Sequence, residues 1–172
     1  MAKINQQPIN ATRTRPNMPH YGIATAEEGM MTWEWVDEQM AKSRNYWICT
    51  TRPDGRPHVS PVWGVWVGGK LYFGSHITAV KSKNVTKNPN VVVHLESGDD
   101  TVIFEGTLDK VSPDSAEFKA LDDAFFEKHP PFRPSDGLGD DSQFYVLKPK
   151  VVFAWREESY PTTATRWDFK ND

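Results

Sequence analysis

The sequence predicts a mainly β protein: six or seven antiparallel strands closing, or nearly closing, a barrel with about three flanking helices. Three observations carry this. Period-two segments are joined by tight turns, at Pro53-Asp54-Gly55-Arg56 and Gly68-Gly69, so strands follow one another as hairpins. No strand–helix–strand alternation appears, which disfavours a doubly wound sheet. The composition is that of a folded domain, with 38% hydrophobic, 12% aromatic and 25% charged residues in a chain of 172.

Taken in order, residues 1–30 are polar, proline-containing and without a steady period, as in Asn5-Gln6-Gln7-Pro8 and Arg13-Thr14-Arg15-Pro16, and read as a flexible arm. The domain proper is expected over 31–172. Trp33, Val36 and Met40 recur at helical spacing behind Thr32 as N-cap, predicting a helix over 32–43. Tyr46 to Thr51, His58 to Val67 and Lys70 to Ser75 alternate as strands. Residues 78–88 read as a short helix opened by Thr78 and ended by Asn88-Pro89-Asn90. Val91 to Glu96 and Thr101 to Val111 are strands about a Ser97-Gly98-Asp99-Asp100 turn. A helix runs from Pro113-Asp114 to about Lys128, with Phe118, Leu121, Phe125 and Phe126 on its apolar side. Residues 129–141 form an irregular loop, Gln143 to Trp155 a strand pair or one long strand bent near Pro149, and Thr165 to Phe169 a short terminal strand.

Bulk properties exclude several functions. The net charge of −3 and absence of a basic excess give no electrostatic support for nucleic-acid binding. No apolar run approaches the roughly 18 residues of a membrane span, and no signal-peptide core opens the chain. With Cys49 as the single cysteine, a cytoplasmic location is expected. The five histidines have no metal-ligand spacing and Cys49 has no cysteine partner, so no metal site is expected.

Two segments point to ligand chemistry. Ser75-His76-Ile77-Thr78-Ala79-Val80-Lys81-Ser82-Lys83-Asn84 lies where a strand meets a helix N-terminus. Unpaired N–H groups and the helix dipole favour an anion there. Lys81 and Lys83 add charge, and Ser75, Thr78, Ser82 and Asn84 add polar groups, which together suit a phosphate. A solvated basic helix face is the bland alternative. His76 is the one histidine inside this segment. In the second segment, Val59-Ser60-Pro61-Val62-Trp63-Gly64-Val65-Trp66, Pro61 interrupts donation to a neighbouring strand and Gly64 permits close approach to the backbone. Such a strand suits a flat heterocycle walled by Trp63 or Trp66; an edge strand with core tryptophans is the alternative. No nucleophile elbow, Walker loop or dinucleotide fingerprint is present, so a cofactor would carry the reactivity of any enzyme here.

These residues resemble a known family. The run Arg52-Pro53-Asp54-Gly55-Arg56-Pro57, Val59-Ser60-Pro61-Val62-Trp63, the Gly-Gly turn, Leu71-Tyr72-Phe73, Lys81-Ser82-Lys83-Asn84-Val85 and Asn88-Pro89 is similar to the pyridoxamine 5′-phosphate oxidase-like split β-barrels. It stands nearest their flavin/deazaflavin oxidoreductase B group. The resemblance implies an FMN-binding type of split barrel and a homodimer with cofactor at the subunit interface. It implies hydride transfer between reduced coenzyme F420, or alternatively FMN, and an electron-poor small molecule such as an enone or quinone. It implies that Ser75, Lys81, Ser82, Lys83 and Asn84 hold the cofactor phosphate and that Ser60, Pro61, Val62 and Trp63 follow the ring. Trp155, Arg166 and Trp167 are the positions that would complete the partner's pocket. No catalytic side chain is named. Lys42, Arg44 and Arg56 are candidates for the anionic tail of F420. The chain ends Thr165-Arg166-Trp167-Asp168-Phe169, without the arginine-rich segment of true pyridoxamine phosphate oxidases, which argues against that substrate. A non-catalytic flavin, haem or tetrapyrrole binder and an FMN-dependent pyridoxamine phosphate oxidase-like enzyme remain the other readings.

Overall fold

A computed structural model describes residues 10–137, 139 and 141–170. Its strands are β1 (Ala11–Thr14), β2 (Asn45–Thr51), β3 (Pro57–Val67), β4 (Lys70–His76), β5 (Asn90–His94), β6 (Asp100–Val111), β7 (Ser142–Arg156) and β8 (Thr165–Phe169). The helices are α1 (Trp33–Lys42), α2 (Val80–Lys87), α3 (Ala116–Lys128), and the single turns α4 (Pro134–Gly137) and α5 (Tyr160–Thr163).

All strands pair antiparallel in the order β1-β8-β7-β4-β3-β2-β5-β6, and β6 also pairs with β7. That last pairing closes a six-stranded barrel and leaves β8 and β1 as an extension from β7. The expected barrel and its three main helices are present. Closure leaves the six central strands without a free edge except where β3 parts from β4, at Pro57–Trp63.

Three local features depart from expectation. Within the arm, Ala11–Thr14 is a strand paired with Thr165–Phe169, against an expected lack of regular structure. Arg15 then donates to the carbonyls of Ala26, Glu28, Thr162 and Ala164 at 2.6–3.0 Å, which ties this stretch to the end of the chain. Residues 1–9 of that arm lie outside the described residues. The stretch 129–141, expected to be irregular, holds the turn α4, with positions 138 and 140 outside the described residues. Thr78 does not cap α2; Ala79 does, with no side-chain hydrogen bond, because the Thr78 hydroxyl and N–H turn to His76 Nδ1 at 2.8 and 3.2 Å.

β7 runs unbroken through Pro149, and its register against β6 shifts between Glu105 and Gly106. A β-carbon on Gly106 would stand 2.1 Å from the Lys148 carbonyl oxygen, so this bulge requires glycine.

The main core fills the barrel with Tyr46, Ile48, Leu71, Phe73, Val93 and Phe104. It continues beneath α1 through Trp33 and Trp167, whose rings meet edge to face at 5.5 Å. A second cluster of Val65, Tyr72, Val111, Leu121, Phe125, Phe144 and Val146 seats α3 on the outside of the barrel.

Candidate functional site

The barrel splits between β3 and β4. Only Gly64–Val67 of β3 pairs with β4, while Pro57–Trp63 pairs with β2 on its other side. Beyond Phe73, β4 pairs with β7. The two strands diverge where α2 begins and leave a cleft of about 360 Å³, within the range of small-molecule sites. Ser75, His76, Lys81 and Ser142 give it polar walls. Trp63, Phe125, Phe132 and Phe144 give aromatic ones, with Pro61, Val62 and Gly74 between.

Lys81 sits in the first turn of α2 and is half-buried, and burial lowers its ammonium below the ordinary lysine range. Among the described residues no carboxylate pairs with it. It therefore adds an uncompensated cation to a helix N-terminus that no side chain caps. Ser60 Oγ, on the neighbouring strand, is buried without a hydrogen-bond partner. A buried hydroxyl left unpaired is destabilising unless something outside the chain satisfies it.

The sequence-predicted residues separate by where the structure puts them, and Ser60 is not among those that line the cleft. Pro61, Val62, Trp63, Ser75 and Lys81 line the cleft together. Ser82 and Asn84 instead fasten α2 to the barrel: Ser82 Oγ donates to Ser75 Oγ at 3.0 Å, and Asn84 Nδ2 donates to Thr50 Oγ1 at 2.9 Å. Both are buried. Lys83 and Thr78 are exposed beside this helix start.

Trp155, Arg166 and Trp167 do not reach the cleft of their own chain. Trp155 packs edge-on to Tyr160 at 5.5 Å, and Arg166 pairs with Asp168 while lying over Phe153. Trp167 is wholly buried in the core against Trp33. Gly64 gives close approach, but to the protein itself. A β-carbon there would lie 2.9–3.1 Å from Tyr72 O, Tyr46 Cδ2 and Leu71 Cδ1. Of the three cations considered for an anionic tail, Arg56 is held by Asp54 at 2.7 Å and Lys42 lies 3.8 Å from Glu38. Arg44 lies over the Trp63 ring at 5.3 Å.

Several cleft residues escape a sequence reading. Phe125 reads as helix core and Phe132 as loop, yet both line the cleft once α3 docks, Phe132 edge-on to Trp63 at 6.5 Å. His129 stacks on Trp63 at 4.9 Å and 3°. Burial, then the nearby Lys128 and Arg44, hold its imidazole below the usual histidine range, against a raising contact with the Gly64 carbonyl. Asp122 fixes the loop that carries Phe132, accepting from Ser135 N–H at 2.7 Å, Ser135 Oγ at 2.9 Å and Arg133 Nη1 at 2.7 Å. Among the described residues, no group of three or more His, Cys, Asp or Glu side chains could hold a metal, and no helix is long and apolar enough to cross a membrane.

A closed six-stranded barrel, split at one seam and lined there by a bare helix start and a lysine, defines the class: a small split-barrel protein with a cofactor-sized cleft. Residues 32–156 match the pyridoxamine 5′-phosphate oxidase family, and the chain belongs to that family. Its structure is similar to a conserved hypothetical protein of Mycobacterium tuberculosis, at 20% identity and TM-score 0.65, covering 75% of this chain and 87% of the other. A haem storage protein of Vibrio cholerae aligns at 18% identity and TM-score 0.61 over 69% and 91% of the two chains. A protein described as an F420 reductase aligns at 26% identity and TM-score 0.51, over 67% of this chain and 94% of that one. No curated protein sequence matches the chain.

Proposed function

We propose that this protein is an oxidoreductase that holds a flavin-type cofactor in the β3–β4 cleft, with coenzyme F420 favoured and FMN the alternative. The reading rests chiefly on the start of α2, where an uncapped helix N-terminus and a lysine without a carboxylate converge on the cleft. An anion answers both. The likeness to an F420 reductase and the position of Arg44, without a carboxylate partner among the described residues, favour F420 over FMN.

When bound, such a cofactor supplies the hydride chemistry. The chain's residues would bind and orient. Lys81, the α2 N–H groups and Ser75 hold the phosphate, with Lys83 and Thr78 at the rim. Ser60 to Trp63 lie along the ring, and Phe125, Phe132 and Phe144 keep water from that side. A flat, electron-poor small molecule such as an enone or quinone suits the aromatic walls.

Two copies of the chain form the working unit in this reading. Register places Pro61, Trp47, His94, Ile103 and Phe153 in one row across the outer face of β3, β2, β5, β6 and β7, all at least partly exposed. A second copy would cover that row.

Stopped-flow mixing of the protein with reduced F420 or reduced FMN and a panel of enones and quinones tests the activity. Oxidation of the bound cofactor faster than in free solution is expected. Binding without any acceleration would make the protein a carrier, as haem storage is for the Vibrio cholerae protein of similar fold.

A further inference from the structure

We propose that His76 is a binding residue for the small molecule that meets the cofactor: its Nε2–H donates to a carbonyl oxygen of a flat, uncharged compound at the mouth of the cleft, and Asp141 beside it turns anionic compounds away. The inference rests on the cofactor reading above and assigns a part of the cleft which that reading leaves open. His76 ends β4 and lines the cleft. It is exposed, as are Trp63 and Phe132 on the same lining, whereas Phe125 and Phe144 are buried. The first three form the mouth and the last two the floor.

Contacts with Thr78 decide which nitrogen of the ring is the donor. Thr78 N–H lies 3.2 Å from His76 Nδ1 and can only donate. Nδ1 therefore presents its lone pair, and the hydrogen of the neutral ring sits on Nε2. The Thr78 hydroxyl, 2.8 Å from Nδ1, holds the ring in place. The contact that draws Thr78 away from capping α2 thus orients a donor in the cleft. Among the described residues nothing accepts from Nε2–H. Asp141 Oδ2 stands 4.0 Å from it, beyond hydrogen-bond reach. Backbone pairing keeps Asp141 there: its carbonyl accepts Ile77 N–H at 2.8 Å, and the next residue, Ser142, pairs with His76.

The cleft consequently has two polar stations with opposite preferences. At Lys81 a cation stands without a carboxylate among the described residues, and an anion is welcome. At His76 a neutral donor stands beside a carboxylate. An anion accepting Nε2–H would meet the Asp141 charge at short range, whereas a carbonyl oxygen takes the hydrogen without that repulsion. Trp63 and Phe132, which line the same mouth, suit the flat body of such a compound.

Acetophenone, benzoate and ethylbenzene test this, because they share a flat ring and offer in turn an uncharged carbonyl, an anion and neither. Each is titrated into the protein saturated with whichever of oxidised FMN and oxidised F420 binds, so that no turnover occurs. Imidazole 1H–15N NMR at about pH 7.5, above the ordinary histidine range, follows the titration. The unaltered protein should show His76 with its hydrogen on Nε2, and acetophenone should move that resonance. The ratio of acetophenone to ethylbenzene affinity should fall roughly 3- to 10-fold in His76→Phe, with cofactor affinity unchanged, and benzoate should bind more tightly to Asp141→Asn than to the unaltered protein. A hydrogen on Nδ1, a His76 resonance that acetophenone leaves in place, an unchanged ratio in His76→Phe, or benzoate no tighter in Asp141→Asn overturns the proposal and leaves the cofactor reading standing. Loss of cofactor affinity in His76→Phe would place the residue at the cofactor and overturns it equally. Failure of both cofactors to bind overturns the cofactor reading and the proposal with it.

Discussion

The three longer helices begin in two different ways. Thr32 Oγ1 accepts from Trp35 N–H at 3.2 Å to cap α1, and Ser115 Oγ accepts from Phe118 N–H at 3.0 Å to cap α3. Each has an acid in its first turn, Glu34 and Glu117. α2 has Ala79 at the cap, no acid, and Lys81 in the first turn, where a cation opposes the helix dipole. α1 and α3 are built as stable helices are. α2 gives up about 1 kcal/mol of capping and adds an unfavourable charge, beside the seam where β3 and β4 diverge. In the proposed reading, the difference separates residues that hold the fold from residues that await a ligand.

The largest expected effect lies on the fold side of this comparison. Trp167→Ala should cost about 3–5 kcal/mol in urea unfolding, because the ring is wholly buried against Trp33. An effect on ligand affinity with little loss of stability would instead return Trp167 to the pocket.

Asp122 comes next. Burial alone would raise its carboxyl, but the Ser135 N–H, Arg133 and the Ser135 hydroxyl outweigh it and hold it below the ordinary range. A depressed carboxyl contributes stability above its unfolded value near 4 and loses it as pH falls through the folded value. Asp122→Asn should therefore cost about 1–3 kcal/mol at pH 7, with the difference from the unaltered protein closing towards pH 3 in acid titrations followed by circular dichroism. A constant difference across that range would mean that packing, not charge, is lost.

Ala79→Asp probes α2 itself and has the smallest effect on the fold. Supplying the missing cap should raise the stability of the ligand-free protein by roughly 0.5–1 kcal/mol while weakening anion binding, since the carboxylate takes the place of the ligand. Stability and affinity rising together would contradict the contrast drawn above.

How far the sequence foretells this molecule follows from the range of the interactions involved. Gly68 and Gly69 adopt positive φ as their turn requires, so the hairpin at 68–69 is legible from two residues. The Thr32 cap and the spacing of Trp33, Val36 and Met40 are equally local. β1 is not, because its four residues acquire meaning only from β8, about 150 residues away. Thr78 looks like a cap by type, but the acceptor at His76 Nδ1 draws it off. The assignment of Trp167 to a pocket comes from resemblance; strand alternation between the paired Arg166 and Asp168 already turns it the other way, into the core. Phe125 and Phe132 enter the site only through docking of α3, which no local pattern encodes.

The central claim is that the bare start of α2 with Lys81 is an anion seat for a flavin-type cofactor. Fluorescence titration of the purified protein and of Lys81→Ala with coenzyme F420 and with FMN tests it most directly. Saturable binding of one cofactor is predicted, weakened in Lys81→Ala by about 1.5–3 kcal/mol, roughly 10- to 150-fold, with the urea stability of the ligand-free protein not lowered. Binding of neither cofactor, or equal affinity in the two proteins, would contradict it.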